Sequence, residues 1–154
     1  MGTSQKKKIA ALAKYLEINP SDIEVTDFGL FRRTDGVSGE YYVYTEREAN
    51  KAAKEKIRNE LWAFNINFLM RYIKAFKELN DYEWERVEKA IHEMQTSLCE
   101  TANEIIYAMV GGKKFKELAE DAISEDGRGH FLSGYDGIEY EISGTPYYAY
   151  CEDR

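Results

Sequence analysis

A chain of 154 residues with 44% hydrophobic and 32% charged side chains has the size and make-up of a single globular domain, 1–154, that needs no disulfide or metal staple. Two prolines and the absence of Gly/Ser-rich or repetitive tracts exclude long disordered segments, and no apolar run approaches the ~20 residues of a membrane span. The formal net charge of −7 lies entirely at one end: residues 115–154 hold three basic and ten acidic side chains, whereas residues 1–114 balance at 18 of each. An acidic end repels a nucleic-acid backbone, which disfavours direct DNA or RNA binding and favours a basic protein surface as partner.

In chain order, "KKKIAALAKYLE" (6–17) carries Ile9, Leu12, Ala13 and Leu16 at helical spacing and predicts a short helix, ended by Pro20. Lys14 interrupts the apolar stretch and no small-residue cleavage site follows, which argues against a secretory leader. "IEVTDFGLF" (23–31) and "YYVYT" (41–45) read as extended and predict a hairpin across "RRTDGVSGE". Thr45-Glu46-Arg47-Glu48 has the capping-box pattern, so the strand should run directly into a helix with Ala49, Ala53, Ile57, Leu61 and Phe64 on one face. Asn65 and Asn67 mark a break, and a second helical piece is predicted over 67–79.

From Asn80 to Val110 the apolar positions Trp84, Val87, Ile91, Met94, Leu98, Ala102, Ile105 and Met109 step mostly by three and four. They predict one long helix, the spine of the core, ended by Gly111-Gly112. A last short helix is predicted over 113–123, and "IEYEIS" (138–143) with "YYAYC" (147–151) predicts a second hairpin. The fold expected is α+β: a small antiparallel sheet from the N- and C-terminal hairpins, packed on a long central helix and shorter helices. Two Tyr-rich strands lying together would form cross-strand aromatic pairs.

The densest cluster of reactive side chains is "GRGHFLSGYDG" (127–137), with Arg128, His130, Ser133, Tyr135 and Asp136 among four glycines. Ser133, His130 and Asp136 could be read as a nucleophile, base and orienter. However, three members within seven residues rarely reach triad geometry, and the serine lies in L-S-G-Y rather than a nucleophile elbow. His130 and Asp136 with Glu139 or His92 match no metal signature. The glycines follow a helix and precede a strand, the wrong order for a phosphate loop. No cofactor or metal is therefore expected. The backbone reading is that Gly127 and Gly129 supply left-handed geometry leaving the helix, that Phe131 and Leu132 enter the core, and that Ser133-Gly134 and Asp136-Gly137 make turns. Cys99 and Cys151 are too few and too distant for a disulfide framework and fit a reduced compartment.

"YVYTEREANKAA", "ELWAFNINFL" and "DGRGHFLSGYDGIEYE", with the terminal strand "YYAYC", resemble a group of small uncharacterised proteins of phages and mobile elements. In that group T-x-x-E-A, W-A-F-N and D-G-R-G-H-F-L-S-x-Y-D-G segments recur in this order. The resemblance covers residues 41–151. Cys151 stands where that group carries an arginine. The resemblance implies a bacterial-host, cytoplasmic setting, and small acidic phage proteins typically bind and disable a host protein.

The expected function is accordingly a non-enzymatic acidic inhibitor of a host protein, such as a CRISPR or other defence component, including a nucleic-acid-binding one engaged by nucleic-acid mimicry. Glu117, Glu120, Asp121, Glu125 and Asp126 would form the mimic-like surface, with Tyr41, Tyr147 and Tyr148 as contact anchors. The competing readings are a small-ligand binder or hydrolase with its site at Arg128, His130, Ser133, Tyr135 and Asp136, and a homo-oligomer, such as a homodimer, built on the long helix.

Overall fold

The computed structural model describes residues 2–154 and has an α+β fold, with a five-stranded antiparallel sheet and helices packed on it. The chain forms two compact units, one of residues up to Ala53 together with Asp126–Arg154, the other Lys54–Glu125.

In the first unit, helix α1 (Thr3–Leu16) ends where Glu17 adopts a left-handed conformation and the Ile18 amide returns to the Ala13 carbonyl, 3.0 Å. The stretch 23–31, predicted as one extended segment, is two strands: β1 (Ile23–Val25) and β2 (Phe31–Arg33). The turn between them is closed by the Thr26 amide to the Leu30 carbonyl (2.8 Å) and by the Leu30 amide to Thr26 Oγ1 (3.1 Å). Gly29 supplies the φ of +78° that the reversal requires. With β3 (Glu40–Thr45) these strands form a meander, and β4 (Tyr140–Glu141) and β5 (Tyr147–Asp153) complete the order β1-β2-β3-β5-β4.

The two Tyr-rich strands are neighbours. Tyr42 pairs with Tyr150 and Tyr44 with Tyr148. Tyr42 and Tyr44 stack at 5.5 Å, and Tyr44 meets Tyr150 at 6.0 Å. Alternation sends Tyr41, Val43, Tyr147, Ala149 and Cys151 to the opposite face, where they pack with Ile9, Leu12 and Ala13 of α1. The sheet therefore closes this core with the N-terminal helix.

Helix α2 (Glu46–Asn59) begins with the predicted capping box: the Thr45 amide donates to Glu48 Oε1 (2.9 Å) and the Glu48 amide to Thr45 Oγ1 (3.3 Å). It stops at Asn59, short of the predicted Phe64, and a single 3₁₀ turn follows at Leu61–Ala63. The predicted piece over 67–79 is α3 (Ile66–Met70), capped by the Asn65 side chain, then a 3₁₀ turn at Lys74–Glu78.

The long helix expected from 80 to 110 is interrupted. Helix α4 (Asp81–Leu98), opened by an Asn80/Glu83 capping box, ends at Cys99 with φ 48° and ψ −128°. A 3₁₀ turn at Cys99–Thr101 then leads into α5 (Ala102–Val110). The break lets the buried Asn103 side chain serve the chain end of α2: its Oδ1 accepts from the Trp62 amide at 2.9 Å, and its Nδ2 donates to the Asn59 carbonyl. Periodicity alone cannot separate one helix from two segments in phase. In the second unit Ile66, Met70 and Ile91 form a small core with Phe76, Trp84, Val87, Met94 and Met109. Helix α6 (Gly112–Asp126) buries Leu118, Ala119 and Ala122.

Candidate functional site

Residues 127–137, read from sequence as turns, begin with a turn of helix, α7 (Arg128–Leu132). Gly127 has φ +83°, as a helix exit requires. Gly129 is not left-handed. It is glycine because of crowding: a Cβ there would sit 2.6 Å from the Gly137 carbonyl oxygen and 2.7 Å from the Glu139 amide. Phe131 and Leu132 are buried, as expected.

Arg128 lies inward, its side chain only 11% exposed. Its Nε donates to Glu139 Oε1 at 2.7 Å, and Nη1 to Asn50 Oδ1 at 3.2 Å and the Glu46 carbonyl at 3.4 Å. The guanidinium also stacks on the Tyr148 ring, 4.8 Å from its centre. Tyr150 Oη donates to the same Glu139 oxygen. Burial pulls the Arg128 pKa down, but Glu139 together with Tyr150 and Tyr148 outweighs it and the net shift is upward. Burial together with the Glu139 hydrogen bond raises that of the Tyr150 hydroxyl. Arg128 is thus a strut joining α2, α7 and the sheet.

Ser133 is 6% exposed, and its Oγ lies 2.6 Å from the Cys151 carbonyl and 2.8 Å from Asp136 Oδ1. Both neighbours accept, so the single hydroxyl proton is shared between them. Asp136 Oδ1 also accepts from the Ile138 amide (3.0 Å), and Oδ2 accepts from Tyr140 Oη (2.7 Å). His130 is exposed and stands edge-on to Phe131 at 4.9 Å. A triad is not assembled, because the Ser133 hydroxyl is turned to backbone and carboxylate rather than to imidazole. Tyr135 is 52% exposed, with the Arg154 guanidinium 5.4 Å over its ring. The five candidate ligand residues therefore divide: Arg128, Ser133 and Asp136 hold the loop, while His130 and Tyr135 face outward. Glu139, weighed from sequence as a metal ligand, is spent on Arg128 and Tyr150. Among the described residues no three His, Cys, Asp or Glu side chains group as metal ligands.

Burial pushes the Asp136 carboxyl up, but the hydrogen bonds from Tyr140, Ile138 and Ser133 outweigh it and hold it below the ordinary carboxylate range. A carboxyl with a depressed folded-state pKa adds stability above its unfolded pKa, about 4, and loses it as pH falls through the folded value. The Asp136→Asn variant is therefore expected to lose less melting temperature than the parent as pH drops below about 4. Parallel acid slopes in thermal melts of the two proteins would contradict this.

The acidic candidates Glu117, Glu120, Asp121, Glu125 and Asp126 are exposed. On α6, Glu117 and Glu120 lie opposite Leu118, Ala119 and Ala122, whereas Asp121 and Glu125 flank the buried side, and each of the four is engaged through one oxygen. Glu117 meets Lys114 (3.2 Å), Glu120 meets Lys54 (3.6 Å), Glu125 meets Arg71 (3.3 Å), and Asp121 accepts from Tyr72 Oη. Two of the three tyrosine anchors need correction. Tyr41 (3% exposed) and Tyr147 (8%) lie on the α1-facing side of the sheet, so they are core residues and not contact anchors. Tyr148 is half-buried beneath Arg128.

Sequence reasoning missed Asn50 and Glu152 as supports of this loop. Glu152 Oε2 accepts from the Gly134 amide at 3.1 Å. It also missed Gln95 and Asn103, polar residues that interrupt apolar helical faces, which was the signal available.

No family model, no curated protein and no solved structure matches this chain. No helix among the described residues is long and apolar enough to cross a membrane.

Proposed function

We propose that this chain is a non-catalytic acidic binding protein of phage or mobile-element origin that inhibits a host protein, such as a CRISPR or other defence component, by presenting carboxylates to a basic surface. The observation that carries the reading is the exposed acidic surface of α6, with Glu117 and Glu120 opposite its buried residues and Asp121 and Glu125 at their flank. At about 1.5 Å rise per residue these four carboxylates are spread unevenly over about 12 Å of the helix axis, a mean of about 4 Å per charge, comparable in density to the ~3.4 Å per charge along one DNA strand. That spacing supports nucleic-acid mimicry as the finer form of the proposal. The neighbouring Lys54, Arg71 and Lys114 reduce the field. Exposed ion pairs of this kind contribute only about 0–1 kcal/mol each, so a basic partner can replace them.

The triple variant Glu117→Lys, Glu120→Lys, Glu125→Lys should abolish capture of a bacterial host protein while leaving the melting temperature within a few degrees of the parent. Capture that survives triple charge reversal would refute the α6 surface. The outward His130 gives a second check on mechanism: His130→Ala should leave the inhibitory activity intact.

A further inference from the structure

A groove in the Lys54–Glu125 unit lies elsewhere, beside the 3₁₀ turn at Leu61–Ala63. Its volume is about 770 Å³, within the ~300–1,000 Å³ of functional pockets. A second depression of about 430 Å³ opens beside the same turn, lined by Phe64, Asn65 and His92 among others. Both are lined by the half-buried Trp62 and by Ala63.

The turn is held firmly. Buried Gln95 donates its amide to the Leu61 carbonyl (3.3 Å) and the Phe64 carbonyl (2.9 Å). Buried Asn103 accepts from the Trp62 amide and donates to the Asn59 carbonyl. Two buried amides spent on one short turn leave it little freedom to collapse into the groove, and a preorganised site loses less entropy on binding.

The lining combines apolar and acidic side chains. Trp62, Ala63 and the exposed Ile105 supply the apolar part, and the charged part is Glu60, Glu100 and Glu104 with Lys56. Lys56 is tied to Glu60 at 3.2 Å, and Glu104 is met by Arg58 at 3.0 Å. Among the described residues Glu100 has no cationic partner. A concave wall with excess carboxylate focuses a negative potential, and an indole face adds attraction for a cation.

We propose that this groove docks a short basic segment of a partner protein, in which an apolar or aromatic side chain is flanked by lysine or arginine. The inference rests on the binding-protein reading but uses residues separate from the α6 carboxylates. The chain's own basic-apolar stretch, "KKKIAALAKYL", is not available as the occupant in a second copy, because its Ile9, Leu12 and Ala13 are buried under the sheet.

The test is a titration of the full-length isotope-labelled protein with three synthetic decapeptides, followed by amide and indole NMR shifts. One alternates Lys/Arg with Leu, one replaces the basic residues by Glu, and one replaces Leu by Ser. The expected result is saturable shifts with the first peptide only, at residues 59–63 and 100–105 and at the Trp62 indole. This binding should weaken as salt rises and by about tenfold or more in Glu100→Lys and in Trp62→Ala. Absence of saturable shifts, equal binding of the acidic peptide, or binding indifferent to both substitutions would overturn the groove. Shifts confined to 117–125 would overturn it too while leaving the acidic-binder reading intact. Host-protein capture lost in Glu100→Lys but kept in the α6 triple variant would support the groove and remove the α6 surface instead.

Discussion

Gly129→Ala is expected to cost about 3 kcal/mol of stability, at the upper end of ordinary overpacking, because the new methyl meets backbone on the facing segment. The atoms 2.6–2.7 Å from its position belong to Gly137, Ile138 and Glu139, and a peptide chain cannot step aside as a side-chain tip can. Alanine would gain about 1 kcal/mol of helix propensity in α7, too little to offset the clash. For a chain this long, roughly 2–4 °C of melting temperature accompanies each kcal/mol, so a drop of about 10 °C should be seen by calorimetry. Gly134→Ala is the control. There the nearest atoms, at 2.9–3.1 Å, are the end of the Glu152 side chain, which can rotate away, so the loss should be smaller. Equal melting temperatures for Gly129→Ala and the parent would mean that α7 does not sit this close to the 137–139 backbone.

Arg128→Met is expected to destabilise by about 2–3 kcal/mol. Removing one partner of a buried pair typically costs about 3–5 kcal/mol, because the other charge is stranded. Glu139 keeps some access to water, its side chain being 29% exposed, which lowers the figure. Methionine retains contact with the Tyr148 ring, so the loss reports charge rather than packing. Adding Glu139→Gln should recover part of it, since the amide oxygen still accepts from Tyr150 Oη without a stranded charge. A double-mutant cycle should then show coupling on the order of 1–2 kcal/mol. A loss below about 0.5 kcal/mol, usual for a surface substitution, would show that Arg128 is not a strut and would return it to the set of candidate ligand groups.

Local chemistry read well from the sequence wherever the deciding atoms lie within a few residues. The Thr45–Glu48 box, the Asn80 helix start and the Gly127 exit from α6 all depend on groups one to three positions apart. The sheet's alternation was also legible, since a period of two in "YYVYT" places Tyr41 and Val43 on one side. Which side was core was not. The same tyrosine-rich pattern suits an exposed contact face or a buried one, and the packing of α1 sends Tyr41 and Tyr147 inward. The candidate site behaved in the same way. "GRGHFLSGYDG" gathers residues able to act as nucleophile, base and acid, but their partners come from distant positions: Arg128 from Glu139 and Asn50, Ser133 from Cys151, Gly134 from Glu152.

By itself the sequence determined the α+β class, the C-terminal hairpin, the capped starts of α2 and α4 and the concentration of negative charge after residue 114, because these follow from periodicity, capping chemistry and composition. Only the tertiary structure decided that α1 covers the sheet, that the 80–110 helix breaks at Cys99, and that Arg128 and Ser133 face inward while His130 and Tyr135 face out. The packing of α1, the break at Cys99 and the burial of Arg128 and Ser133 involve contacts between residues well apart in the chain, and a one-dimensional pattern carries the spacing of side chains but not the surface that each one meets.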